Sequence, residues 1–93
     1  MRRTTDQFWE RYGNLPEDVR RSADKSFRLL KGNPRHPSLQ FKKVGGFWSV
    51  RADLAHRALA VEDHTDFIWV WVGSHDDYMR VIKGKTWEIN TGE

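Results

Sequence analysis

Apolar residues recur along this chain first at a helical period and then at a period of two, and the change falls near its middle. From Asp6 to Tyr12 the residues Phe8, Trp9 and Tyr12 stand at helical spacing, and Gly13-Asn14 stops the run. A second helix is predicted from about Pro16 to Lys31. Pro16 suits a first helical turn, the charges of Glu17 and Asp18 favour a helix N-terminus, and Val19, Ala23, Phe27 and Leu30 form one stripe. Arg20, Arg21, Lys25, Arg28 and Lys31 lie mainly off that stripe and read as its wet face. Gly32-Asn33-Pro34 ends the helix.

From Leu39 onward the pattern is extended. Leu39 to Val44 and Phe47 to Ala52 flank Gly45-Gly46, which reads as a tight hairpin. A two-residue loop pairs Val44 with Phe47, Lys42 with Ser49 and Gln40 with Arg51, leaving Leu39, Phe41, Trp48, Val50 and Ala52 on the other face. A third strand, His56 to Glu62, and a fourth, Phe67 to Val72, are joined by the polar turn Asp63-His64-Thr65-Asp66. That loop sets Ala60 opposite Trp69 and Ala58 opposite Trp71, with both tryptophans in the core, and Arg57 opposite Val72. Arg57 also faces Arg51 if three residues form the Asp53 to Ala55 turn, whereas a two-residue turn separates them. Ser74 can cap a short final helix in which Met79 and Ile82 pack on the sheet. The stretch from Lys83 to Glu93, which includes Trp87 and Ile89, reads as a loose tail.

The 93 residues suffice for a single domain, 1–93, with a core from about residue 6 to 82. With 38% hydrophobic and 13% aromatic residues, five of them Trp, the composition is that of a globular protein. No cysteine is present, which excludes disulfides, thiolate metal sites and thiol nucleophiles and fits a reducing compartment. The longest apolar run, Phe67 to Val72, is too short to span a bilayer, and Met1 to Asp6 lacks the apolar stretch of a signal peptide. A cytoplasmic protein without membrane contact is therefore expected. A net charge of +3 favours an anionic partner such as nucleic acid or an acidic protein.

Candidate chemistry concentrates after the fourth strand, in Gly73-Ser74-His75-Asp76-Asp77-Tyr78, where two proton-handling side chains emerge three apart. The preceding strands carry Lys42, Lys43, Arg51 and Arg57, the residue types that hold a phosphate and stabilise charge developing on it. Together these residues suggest RNA as a substrate. Each has a plainer reading beside the functional one. Arg51 can pair with Asp53 or Glu62, Tyr78 can be a packing residue, and Lys42-Lys43 can be a solvated edge. Trp48 is the aromatic best placed for exposure. His56, His64, Asp63, Asp66 and Asp76 show no recognised ligand spacing, so no metal is expected.

At this point the chain resembles the RelE/ParE superfamily of small bacterial toxins from type II toxin-antitoxin systems. The resemblance rests on the two leading helices, Asn33-Pro34-Arg35-His36-Pro37-Ser38-Leu39 before Phe41-Lys42-Lys43, the strand Trp48-Ser49-Val50-Arg51, His56-Arg57-Ala58-Leu59, and Gly73-Ser74-His75 with Tyr78. It implies an α+β fold in which two N-terminal helices pack on one face of a mostly antiparallel sheet of about four strands, followed by a short C-terminal helix. Only Met1 to Thr5 precede the first helix, so the opening strand usual in the family is expected to be missing or vestigial.

The family divides between ribosome-associated endoribonucleases that cut messenger RNA and toxins that poison DNA gyrase. The ribonuclease pattern, basic residues on the central strands with a His or Tyr near the C-terminus, matches Arg51, Arg57, His75 and Tyr78 as catalytic residues. Lys42, Lys43, Trp48 and His56 are then substrate-binding candidates. The resemblance implies metal-free chemistry, no cofactor, a cognate antitoxin as partner, and messenger RNA with the ribosome as target. Gyrase is the target in the alternative reading, and an inactive binding module is a third. For RNA cleavage a base takes the 2′-OH proton, a cationic clamp holds the phosphorus-centred charge and an acid protonates the leaving oxygen. His75 supplies the acid or base in this reading. Arg57 and Arg51 supply the clamp, and Tyr78 acts as a base only beside cations, orienting the phosphate otherwise.

Overall fold

A computed structural model of the chain describes residues 3–64 and 66–91, and the side chains of residues 4–64 and 66–83. Its elements run β1 (Arg3–Thr4), α1 (Asp6–Gly13), α2 (Glu17–Gly32), a 3-10 turn at Pro37–Leu39, β2 (Lys42–Val44), β3 (Phe47–Asp53), β4 (His56–Asp63), β5 (Asp66–Ser74) and α3 (His75–Thr91). The architecture is α+β, as expected. The sheet has the order β1-β5-β4-β3-β2, antiparallel except where β1 runs parallel to β5. The opening strand is thus present in vestigial form, two residues paired with Ile68 and Trp69.

Both leading helices form where the apolar period placed them. Thr5 caps α1, its hydroxyl accepting from the Phe8 N–H at 3.2 Å, and the Thr5 N–H donates to the Trp69 carbonyl at 3.1 Å. The cap therefore fastens the helix start to β5. α1 packs over β5 and α2 over β3. Between helices and sheet lies the main core, with Phe8, Val19, Ala23 and Phe27 against Val50, Ala58, Ala60 and Trp69. Trp69 is 1% exposed, and its ring centroid lies 5.2 Å from that of Phe27.

The segment Leu39 to Phe41 departs from the expected strand. Pro37 fixes a backbone angle suited to a helical turn, the His36 Nδ1 accepts from the Ser38 N–H at 3.2 Å, and Gln40 adopts a left-handed φ of 47°. Leu39 is thereby turned into the core, β2 begins only at Lys42, and Gln40 does not pair with Arg51. The rest of that hairpin has the expected register, Val44 to Phe47 and Lys42 to Ser49, and Gly45 supplies the positive φ its turn requires.

Two bulges correct the other registers. Between Ala60↔Trp69 and Leu59↔Trp71 the extra residue Val70 shifts the ladder, so Ala58 faces Val72 and Arg57 faces Gly73. Trp69 therefore stays under the N-terminal helices while Trp71 joins Leu59 and Tyr78 on the opposite face. On the other side of β4 the turn is the short one, Asp53 pairing with His56, yet Arg51 still pairs with Arg57 because Ala52 is the extra residue there. A bulge supplies the residue that a three-residue turn would have supplied.

α3 is longer than the short helix expected. Ser74 caps it, accepting from the Asp77 N–H at 3.2 Å, and its backbone is helical to Thr91 through much of the segment expected to be a loose tail. Trp87, Ile89 and the other side chains from residue 84 onward lie outside the described residues, as do residues 92–93. The helix is anchored by Tyr78, Val81 and Ile82, whereas Met79, expected on the sheet, is 46% exposed. A Cβ at Gly73 would stand 2.7 Å from Trp71 Cζ2, inside contact distance of a buried ring. Gly73→Ala should accordingly destabilise the fold by about 1–3 kcal/mol through overpacking. Chemical denaturation checks this, and an unchanged midpoint would show that Trp71 can move aside.

Candidate functional site

The face of the sheet that carries α3 gathers three of the sequence-chosen residues, Arg51, Arg57 and Lys42, into two adjacent rows. One row runs Arg51, Arg57, Gly73 across β3, β4 and β5, and the next runs Lys42, Ser49, Leu59, Trp71 from β2 to β5. α3 contacts β4 and β5, so the end of this face toward β2 and β3 is left beside the helix. Like charges at Arg51 and Arg57 sit directly opposite one another, an arrangement that costs stability unless something anionic is shared between them.

Arg57 is half-buried and held by its own turn. Its Nη1 donates to the His56 carbonyl at 3.0 Å and to the Asp53 carbonyl at 3.3 Å. Nε and Nη2 have no hydrogen-bond acceptor among the described residues. Burial and the facing Arg51 charge lower its pKa from the usual arginine value, opposed by Tyr78 and Asp53, and the guanidinium remains charged. The absence of a side chain at Gly73 makes room for the Trp71 ring, which lies over that sheet position.

His75 is exposed at the first turn of α3, where its backbone N–H donates to the Ala55 carbonyl at 2.7 Å. That bond ties the start of the helix to the β3–β4 turn, next to the row holding Arg57. The His75 and Tyr78 rings lie 5.6 Å apart at an angle of 38°. Tyr78 is only 6% exposed and packs on Leu59 and Trp71. That burial suits packing against the sheet better than meeting a substrate directly.

The remaining candidates divide. Lys42 is exposed on the α3 face, two positions along from Arg51. Lys43 and Trp48 point to the opposite face, where Lys43 Nζ lies 3.8 Å from Glu62 and the Trp48 indole donates to the same carboxylate at 2.8 Å. Trp48 is half-buried, stacked on Phe41 at 4.9 Å and edge-on to Phe67, because strand alternation puts it with Val50 and not with Ser49. His56 is next to Arg57 in sequence but turns its Nδ1 to Asp53 Oδ1 at 2.9 Å. Asp53 and Glu62 are thus engaged elsewhere, and neither forms the structural ion pair with Arg51 that the sequence allowed.

Asp53 is the participant that sequence reasoning missed. It accepts from His56 and from the Ala55 N–H at 2.8 Å while its carbonyl holds Arg57. The signal was the Asp two residues before Ala55, a side chain that closes a turn on its own backbone. Desolvation opposes its ionisation, but the His56 hydrogen bond, the Ala55 N–H and the His56 charge outweigh it and hold its pKa below 3.8. A depressed folded-state pKa means that the contribution to stability is present above 3.8 and is lost as pH falls through the lower folded value. Asp53→Asn should remove that acid-side component, seen as a flatter dependence of Tm on pH between about pH 6 and pH 2.

No protein-family model and no curated protein matches the sequence. Solved structures do match. The chain is similar to YafQ from E. coli strain BL21(DE3), at 9% identity and a TM-score of 0.68, over 84% of this chain and 96% of that one. It is similar to the RelB-RelE antitoxin-toxin complex from Methanococcus jannaschii at 11% identity and a TM-score of 0.67, over 85% of this chain and 96% of that one. For the YoeB/ParE toxin from Agrobacterium tumefaciens the values are 16% and 0.61, over 80% and 96%. No helix among the described residues is long and apolar enough to cross a membrane. With its two helices on one face of the sheet, α3 on the other and a parallel opening strand at the edge, the chain has the fold of these toxin structures.

Proposed function

We propose that the protein is the toxin of a type II toxin-antitoxin pair and that it cuts messenger RNA on the ribosome, in the cytoplasm, through the ribose 2′-OH and without a metal. The observation that carries this reading is the facing pair Arg51 and Arg57 in one row beneath the start of α3. Two guanidinia in that position offer planar forked donors to the oxygens of one phosphate, and a phosphate between them relieves their repulsion. His75, exposed beside that row, moves the proton to or from the ribose or leaving oxygen. The His56 and Asp53 carbonyls hold Arg57 in place, Tyr78 seats the helix that carries His75, and Lys42 extends the cationic surface along the strand.

A cognate antitoxin is the expected protein partner, since the structures similar to this one include toxins solved with RelB and with YefM. Covering the α3 face would silence the site. The decisive experiment is primer extension on a message translated in a cell-free system with purified protein. Discrete cleavage sites, lost when the nucleotide 5′ to the cut carries a 2′-deoxy sugar, are expected. Intact message together with double-strand DNA breaks in cells would replace this reading with gyrase poisoning. Intact message without breaks or growth arrest would leave an inactive binding module.

A further inference from the structure

β2 pairs with β3 only as far as Ser49, so from Val50 to Asp53 the outer edge of β3 has no strand beside it among the described residues. An open groove of about 500 Å³ lies there, between that edge, α2 and the 3-10 turn. Ser22 and Ser26 on α2 and Ser38 on the turn line it, together with the cationic residues Lys25 and Arg51. Ser26 already donates to the bulged Ala52 carbonyl at 3.1 Å, which fixes the wall. The Ser38 hydroxyl is 2.8 Å from the His36 Nδ1. Lys25 and Arg51 have no carboxylate at salt-bridge distance among the described residues, and the only acid of the groove, Asp53, is engaged with His56 and the Ala55 N–H.

Ser26 and Ser38 spend their hydroxyl protons on the Ala52 carbonyl and the His36 Nδ1, which leaves the Ser22 hydroxyl with two unpaired cations and one occupied carboxylate as a site for an anion with several oxygens. Arg51 belongs to this groove and also faces Arg57 across the sheet, so the two sites are contiguous. We infer that the α2–β3 groove binds a backbone phosphate of the RNA strand adjacent to the phosphate held by Arg57, an assignment that takes the identity of the strand from the RNA-cleavage reading above. Such a strand crosses the open β3 edge by way of Arg51, with the exposed side chain of Leu54 at the groove's end available to a base or sugar face.

The test separates binding from cleavage by using a fluorescent 2′-O-methyl RNA oligonucleotide, which cannot be cut. Lys25 is exposed on a helix, so Lys25→Ala keeps the fold. It should raise Kd about tenfold at low salt and reduce the slope of log K against log salt by about 0.7, the signature of one lost phosphate contact on a single strand. Ser22→Ala, which changes no charge, should raise Kd about threefold. Lys31→Ala on the same helix, outside the groove, should leave Kd near wild type. Equal losses in Lys25→Ala and Lys31→Ala would reduce the effect to net charge and overturn the inference. So would an unchanged Kd in Lys25→Ala with weakened antitoxin binding, which would make the groove a protein contact. The oligonucleotide result stands whether or not the protein cleaves, so failure of the groove and failure of the ribonuclease reading are told apart.

Discussion

His75→Ala should lower the single-turnover rate of message cleavage by about 10²- to 10⁴-fold, the range that a positioned general acid or base contributes. Affinity for the 2′-O-methyl oligonucleotide should remain nearly unchanged. His75 is exposed, and the bond that places it comes from its backbone N–H to the Ala55 carbonyl, so removing the imidazole leaves the helix start tied down. The α3 anchor, Tyr78 on Leu59 and Trp71, is likewise untouched. Circular dichroism and a thermal melt should match wild type. The pH profile is the sharper readout, because loss of a proton-transfer group removes one limb of the rate dependence, whereas loss of a phosphate contact scales the whole curve down. A His75→Ala protein that cleaves at the wild-type rate would assign the proton transfer to another group and leave His75 as a helix-end residue.

Arg57→Ala should reduce cleavage by about 10²- to 10³-fold, as expected for removal of one preorganised donor to developing charge, and should weaken oligonucleotide binding as well. The two losses together distinguish it from His75→Ala. Arg57→Lys should recover binding in part but little of the rate. A lysine keeps the charge, yet it lacks the fork that the arginine presents while its Nη1 is held by the His56 and Asp53 carbonyls. Arg57→Ala also relieves the Arg51 repulsion, so its loss of stability should be slight. Full rescue by lysine would show that charge alone suffices and that the planar geometry is dispensable.

The helices, their stripe and the strand order of this fold were legible in the sequence because each rests on a local period. Val19, Ala23 and Phe27 are buried where the stripe put them, and the Gly45-Gly46 hairpin keeps its register because a two-residue loop leaves no choice. The cationic row was legible in its membership, Arg51 with Arg57, although by a route the sequence did not reveal. A bulge is an extra residue with ordinary side chains. Nothing in Arg51-Ala52-Asp53 or Trp69-Val70-Trp71 distinguishes it from regular strand, and the partner strand decides. The same blindness sent Trp71 to the wrong face. Trp48 reads from the sequence as the aromatic best placed for exposure, but neighbouring rings from two other segments, Phe41 and Phe67, pack on it, and such contacts have no local signature. Tyr78 was read as half of a catalytic pair, and burial recasts it as the residue that seats α3.

The two bulges have a consequence for how the chain can change length. Both extra residues, Ala52 and Val70, sit in the neighbours of β4, and β4 itself runs from His56 to Asp63 without one. β4 is therefore the ruler against which β3 and β5 are each reset by one step. A residue gained or lost in either outer neighbour disturbs one ladder, which a bulge can absorb. The same event in β4 would slip both ladders at once, carrying Arg57 away from Arg51 and Gly73 in a single move. Drift in length should thus collect in β3 and β5, while the span from His56 to Asp63 keeps its count of eight.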